Sequence, residues 1–251
     1  MKIVVIGGSG LIGSRLVNVL RKHSHEVVSA SPSSGINTIT GEGLDEAMRD
    51  AEVVIDVSNS SSLEDTVALR FFETSTSNML QAEGAAGVHH HIALSIVGVD
   101  RVPELGYYRA KVAQEKLIKS GTVPYTIVRA TQFFEFIPML TDSNTKRDTV
   151  RLSSILMQPI AADDVVSALA SAALGSPVNG TIEVAGPERF RLDELARQIL
   201  QAKHDTRKVV ADTQKKYFGA EINDETLTPG GNSRIGSMRF KDWLLRSVST
   251  H

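Results

Sequence analysis

The chain has 251 residues, a formal net charge of −2, 41% hydrophobic and 22% charged residues, and no cysteine. Its length suits one large domain or two small ones, and its composition is that of an ordinary globular protein. The charge gives no general attraction to nucleic acid or anionic membrane, and the missing cysteine excludes disulfides, thiolate metal sites and a cysteine nucleophile.

In chain order, MKIVVIGG breaks its apolar run, Ile3 to Ile6, at glycine. That run is too short for an export core or a bilayer span, so it reads as a buried strand. With the lack of cysteine, this points to a cytoplasmic protein. Next comes GGSGLIGSRL, with Gly7, Gly10 and Gly13 three residues apart. Leu11, Ile12, Leu16, Val19 and Leu20 then share one helical face. HEVVSA is a second strand, GLDEAMRD a short helix and EVVIDVS a strand. A long helix is expected from Leu63 to Glu83, then the strand HHIALSIVG. YYRAKVAQEKLIKS is amphipathic and stops at Gly121. PYTIVRA is the next strand.

Beyond Ala130, DSNTKRD reads as a loop. MQPIAADDVVSALASAAL reads as a short strand and a helix capped by Asp163 or Asp164. GTIEVAGP is a strand and RLDELARQIL a helix. TPGGNSRIGS is rich in turn formers, and FKDWLL, with Trp243, packs back as a final helix. Strands alternating with helices predict an α/β fold, a Rossmann-like doubly wound parallel sheet with a small C-terminal lobe. The chain reads as one domain, 1–251. Its nucleotide-binding core covers about 1–130 and 152–186, and its substrate-side lobe about 131–151 and 187–251.

The glycine turn follows a buried strand and opens a helix, where a dinucleotide pyrophosphate sits in such a fold. Glycines let the backbone approach the phosphates, and the free N–H groups of the helix start face the anion. Gly7, Gly10, Leu11, Ile12 and Gly13 are therefore candidate cofactor contacts; a ligand-free glycine turn is the plainer alternative. After the second strand, SASPSSG has no acid to hold the ribose 2′-hydroxyl of NAD. Ser31, Ser33 and Ser34 stand there instead, with Arg15 a nearby positive charge. This favours NADP(H) over NAD(H), against the alternative of an ordinary polar loop. Ser58 and Asn59, at the end of EVVIDVS, should pass near the adenine ribose.

Tyr107 and Lys111 are spaced i, i+4 and share a helix face. Ser95 ends the preceding strand, on the side that faces the crevice. Carbonyl reduction needs hydride at carbon and a proton at oxygen. Tyr107 can give the proton, Lys111 can stabilise the tyrosinate and clamp the nicotinamide ribose, and Ser95 can bind the substrate oxygen. Such acid–base help is worth roughly 10²–10⁴ in rate. Tyr108, spaced i, i+3 from Lys111, is a rival acid. Thr131, Gln132, Phe133, Phe134 and Phe136 follow PYTIVRA and either line an apolar substrate pocket or pack in the core. His89, His90 and His91 read as near-surface residues at a strand entrance rather than metal ligands, because no Asp, Glu or Cys adjoins them. The acids of ADD read as a helix N-cap rather than a carboxylate pair.

GGSGLIG, the Y-x-x-x-K of YYRAK and Ser95 together resemble the short-chain dehydrogenase/reductase superfamily. YTIVRATQFFEF, MQPIAADDVVSALA and GTIEVAGPERFRLDELARQI resemble its atypical, NmrA-like NAD(P)H-binding branch. The resemblance implies an NAD(P)-dependent oxidoreductase acting on a small apolar carbonyl or quinone-like substrate. It also covers redox sensors that bind the cofactor without turnover. A nucleotide-sugar epimerase or dehydratase is a third reading, against which the short C-terminal lobe argues. The expected partners are small molecules, with neither nucleic acid nor membrane; oligomeric state is open.

Overall fold

The computed structural model describes residues 1–212, 214 and 216–248. The first half alternates as expected: β1 (Lys2–Ile6), α1 (Leu11–Lys22), β2 (Glu26–Ala30), α2 (Leu44–Met48), β3 (Val53–Asp56), α3 (Asp65–Ala86), β4 (His90–Ile96), α4 (Gly106–Ser120) and β5 (Tyr125–Ala130). The second half holds α5 (Ile137–Ser143), β6 (Thr145–Lys146), β7 (Thr149–Leu152), β8 (Leu156–Met157), α6 (Ala162–Leu174) and β9 (Gly180–Ala185). It ends with β10 (Phe190–Arg191), α7 (Leu192–Ala202), β11 (Lys208–Ala211), β12 (Arg234–Ile235) and α8 (Phe240–Val248).

Seven strands form one sheet in the order β12-β9-β5-β4-β3-β1-β2. Every neighbouring pair in it is parallel. The chain leaves β1 for β2 on one side and returns to β3 on the other. That reversal opens a crevice at the carboxyl ends of β1 and β3. Because strand side chains alternate, β1 serves two cores. Ile3 and Val5 pack with Leu16, Val165 and Leu169 of α1 and α6. Val4 and Ile6 pack with Leu44, Met48 and Met79 of α2 and α3. A third apolar cluster, including Phe134, Leu152, Leu195, Ile199 and Phe240, fills the C-terminal lobe. Trp243 of α8 stacks on Phe240 there, with ring centroids 5.7 Å apart.

Several expectations need correction. Helix α3 starts two residues later than expected, at Asp65, and runs to Ala86, where Gly87 stops it at φ +72°. Asp163 and Asp164 do not cap α6; Ala161 holds that position and both acids lie in the first turn. There Asp163 pairs with Arg15 at 2.7 Å, and Asp164 accepts the Met238 amide at 3.0 Å. Leu11 is exposed rather than on the packed face of α1. The turn-rich TPGGNSRIGS contains β12, which extends the sheet beside β9. His90 and His91 are buried, not near the surface, because β4 is central and covered on both faces. Glu83, eight residues earlier near the end of α3, meets His91 Nδ1 at 2.8 Å. No described helix is long and apolar enough to cross a membrane.

Candidate functional site

A cleft of about 940 Å³ runs along the carboxyl ends of β1, β3, β4 and β5. That volume is in the range of cofactor and substrate sites. Gly7, Gly10, Leu11 and Ile12 line one part of it; Tyr107, Tyr108, Gln132 and Phe133 line another.

The glycine turn is shaped by close contact. Gly7 has φ +79°, and a Cβ there would lie 2.8 Å from the Ser58 amide nitrogen. A methyl on Gly13 would run into the Gly7 carbonyl and lie 2.7 Å from the Gly8 Cα. Gly13 does not line the cleft; it lets α1 sit close against the turn. Gly10 is the N-cap of α1 and supplies no side-chain cap. The first-turn amides of Leu11, Ile12 and Gly13 therefore have no intrahelical acceptor, the arrangement that receives a phosphate. Ser58 adds a buried hydroxyl without a hydrogen-bond partner. These donors fit a dinucleotide pyrophosphate.

The serines divide. Ser31 is buried and lines the cleft, whereas Ser33 and Ser34 do not line it. Ser33 Oγ lies 2.9 Å from Ser31 Oγ. Ser34 Oγ accepts the Ser31 amide at 2.9 Å and so closes a local turn. Arg15 is held by Asp163 and by Glu135, 3.7 Å away, so its charge is already matched.

The expected Tyr–Lys pairing is not formed. Tyr107 donates its hydroxyl to Asn59 Oδ1 at 2.6 Å. Burial pushes its pKa well above the ordinary phenol value, helped by Tyr108 and Asp56, so tyrosinate is disfavoured. Lys111 turns inward. Its ammonium donates to the Leu94 carbonyl at 2.7 Å and to Gln114 Oε1, and lies 4.5 Å from the Phe72 ring centroid. Burial pushes its pKa down to about 8, against the pull of Asp56 and Glu115. Gln114 in turn donates to Asp56 Oδ2 at 2.7 Å, and Asp56 Oδ1 accepts the Ser58 amide at 2.9 Å.

Ser95 lines the cleft, but its hydroxyl is committed elsewhere. It pairs in register with Arg129 of β5, so both side chains leave the sheet on the same side. Both reach Glu115 of α4: Ser95 donates to Oε1 at 2.7 Å, and Arg129 to the two oxygens at 2.8 and 2.7 Å. A substrate oxygen would have to compete with a carboxylate for that hydroxyl. The role expected of Ser95 as substrate-oxygen ligand is therefore not what this arrangement supports.

Thr131, Gln132, Phe133 and Phe136 line the cleft. Phe134 does not; it is buried in the lobe core, 5.2 Å from the Phe240 ring. The hydroxyl of Thr131 and both amide atoms of Gln132 are buried without partners. Each such orphan costs about 1–3 kcal/mol unless something else satisfies it. Sequence reasoning missed Tyr217 and Phe218, which the lobe brings to the cleft. Only the adjacent aromatic pair before Gly219 could have drawn notice. It also missed Asp56, Gln114 and Glu115, buried polar residues under the site. A lone acid closing the apolar run VVID was the available signal for Asp56.

Residues 7–177, more than half of the chain, match the family described as NAD(P)H-binding. The chain belongs to the NAD(P)H-binding family. A curated relative of this NAD(P)H-binding protein is the photosystem II assembly factor Ycf39 of Synechocystis, 23% identical over 149 residues. The match covers 54% of this chain and 46% of that protein, so the chain spans about half the length of the curated relative it matches. Among solved structures, dTDP-4-dehydrorhamnose reductase from Bacillus anthracis, in complex with NADP, superposes with a TM-score of 0.72 at 14% identity. It covers 95% of this chain and 90% of that one. The dTDP-glucose 4,6-dehydratase of Streptomyces venezuelae, with NAD bound, gives 0.75 at 17% identity, over 99% and 96%. A short-chain dehydrogenase/reductase superfamily protein from Agrobacterium tumefaciens with bound NAD gives 0.73 at 17%, again over 99% and 96%. At these identities the structural likeness concerns the fold. The NAD(P)H-binding protein thus has the Rossmann-like architecture of these structures, as its motifs led one to expect.

Proposed function

We propose that this chain is an NAD(P)H-dependent oxidoreductase acting on a small apolar carbonyl or quinone-like compound. The reading rests chiefly on one cleft that joins uncapped helix-start amides and the free Ser58 hydroxyl to the Tyr107 phenol. When bound, NAD(P)H supplies hydride there. The α1 amides and Ser58 would hold the pyrophosphate; Gly7 and Gly10 line its approach, and Gly13 lets α1 sit close against the turn. Ser31 would line the adenosine side, and Asn59 lies beside the Tyr107 phenol. Tyr107, held neutral by burial, would break its bond to Asn59 and give its proton to the substrate oxygen as hydride reaches the carbon; the tyrosinate left behind, which burial disfavours, takes a proton back from water in the cleft. Lys111 has three N–H donors and two acceptors here, so one remains for a ribose hydroxyl. Thr131, Gln132 and Phe133 line the substrate end.

NADP(H) is the proposed partner over NAD(H). No carboxylate ends β2, and Ser31 offers a hydroxyl where a ribose phosphate would lie. Calorimetric Kd values for the two cofactors decide this; ten-fold tighter NAD binding overturns it. The activity is tested by following NADPH absorbance with a panel of carbonyls, enones and quinones. Consumption with at least one class is expected. The inward Lys111 favours a second reading, a redox sensor that binds the cofactor without turnover. Tight cofactor binding with no consumption across the panel would establish that reading instead.

A further inference from the structure

The turn Tyr217–Ala220 is closed by two backbone bonds, Tyr217 N–H to the Ala220 carbonyl and the reverse, both 3.0 Å. It holds Phe218 at φ +49°, in the left-handed region that a bulky side chain rarely occupies. Phe218 is 50% exposed and lines the cleft, with its ring 4.8 Å from Tyr217 and 6.2 Å from Phe136. Backbone strain that leaves an aromatic uncovered over a cavity is a feature of ligand-binding segments. Beneath it, the buried Tyr108 hydroxyl has the Tyr217 hydroxyl and the Gln132 side chain as its polar neighbours. Gln132 is 7% exposed, and neither of its amide atoms makes a hydrogen bond.

We infer that Phe218, Tyr217, Tyr108 and Gln132 form a subsite for a flat conjugated ring bearing a carbonyl oxygen. The ring lies against Phe218, where a planar π-face is matched best. The oxygen meets the Gln132 amide N–H, which makes no hydrogen bond of its own, beside the paired Tyr108 and Tyr217 hydroxyls. A saturated ring covers Phe218 poorly and gains less. The subsite lies beside the Tyr107 phenol, and the inference rests on the proposed oxidoreductase function only for its biological use.

The test is isothermal titration of 2-methyl-1,4-naphthoquinone, and separately of cyclohexanone, into the full chain saturated with NADP⁺. The oxidised cofactor prevents turnover, and the chain has no cysteine for the quinone to alkylate. The naphthoquinone should bind at least about ten-fold more tightly than cyclohexanone, and Phe218→Ala and Gln132→Leu should each weaken it about ten-fold. NADP⁺ affinity should stay within about two-fold in both. Phe218→Ala removes a half-exposed side chain, so it keeps the test open if Gln132→Leu fails to fold. Unchanged naphthoquinone affinity in Phe218→Ala, or equal affinity for the two probes, overturns the subsite. If NADP⁺ does not bind, the proposed function fails, and the same titrations without cofactor still decide the subsite.

Discussion

Tyr107 donates its hydroxyl to Asn59 at 2.6 Å and so ties the start of α4 to the loop after β3. Asp56 holds that loop through the Ser58 amide, and Gln114 connects Asp56 to Lys111. Tyr107 and Lys111 are thus linked around a polar circuit rather than head to head. Burial, with Tyr108 and Asp56, keeps the phenol protonated, and the circuit holds the ammonium inside the protein.

Tyr107→Phe removes the proton donor and spares the pyrophosphate turn. The expected result is a fall in kcat/KM of about 10²-fold or more for an aliphatic carbonyl, with NADPH affinity within about two-fold. Stopped-flow hydride transfer and a calorimetric Kd measure the two effects separately. An unchanged kcat/KM would remove Tyr107 from the mechanism.

Gly13→Ala places a methyl against the Gly7 carbonyl and Gly8. Overpacking of this kind costs about 1–3 kcal/mol, a drop in Tm of about 3–10 °C for a chain of this size. Displacing the turn should also weaken NADPH binding about ten-fold. Thermal melts with and without cofactor check both effects.

The buried histidines impose opposite pH dependences. Burial, with neighbouring His91, pushes the pKa of His90 down from 6.5 to about 4. An unfolded chain then binds more protons between those values. The His90 contribution is complete above about pH 6.5 and declines as pH falls toward 4. For His91, burial opposes charge, but contact with Glu83 outweighs it and raises the pKa above 6.5. Its contribution is complete below pH 6.5 and is lost as pH rises through the folded value. His90→Gln should flatten the acid limb of a Tm–pH curve, and Glu83→Gln the limb above pH 6.5. Curves parallel to wild type would contradict this.

Glu115 holds Ser95, Arg129 and Lys119 at once. Glu115→Ala leaves the largely buried Arg129 with only Asp100, 2.9 Å away. Breaking such a pair costs about 3–5 kcal/mol, and urea denaturation should show a loss near the lower end because Asp100 remains. The same variant frees the Ser95 hydroxyl.

Much of this was legible in the amino-acid order. Buried runs such as Ile3–Ile6, alternating with helical periods, point to a parallel sheet, because helical crossovers join parallel strands and cover both their faces. The glycine spacing located the turn, and the i, i+4 spacing located Tyr107 and Lys111 on α4. Phe134 could not be separated from Phe133 and Phe136, because a short helical turn after β5 sends neighbouring rings to opposite environments. His90 and His91 misled because their burial depends on the helices packed over both faces of the central strand β4, not on their immediate neighbours in sequence.

By itself, the sequence determined the order of strands and helices through β5, the glycine turn and the residues that α4 presents; the short strands of the C-terminal lobe it did not. Those features follow from local periodicity and backbone sterics, which act within a few residues. Only the tertiary structure decided what each head group touches. Tyr107 found Asn59 48 residues away, Ser95 found Glu115 across the sheet–helix layer, and Tyr217 and Phe218 arrived from the C-terminal lobe. Hydrogen bonds and burial join groups distant in sequence, and a helix face says where a side chain starts but not where a long one ends.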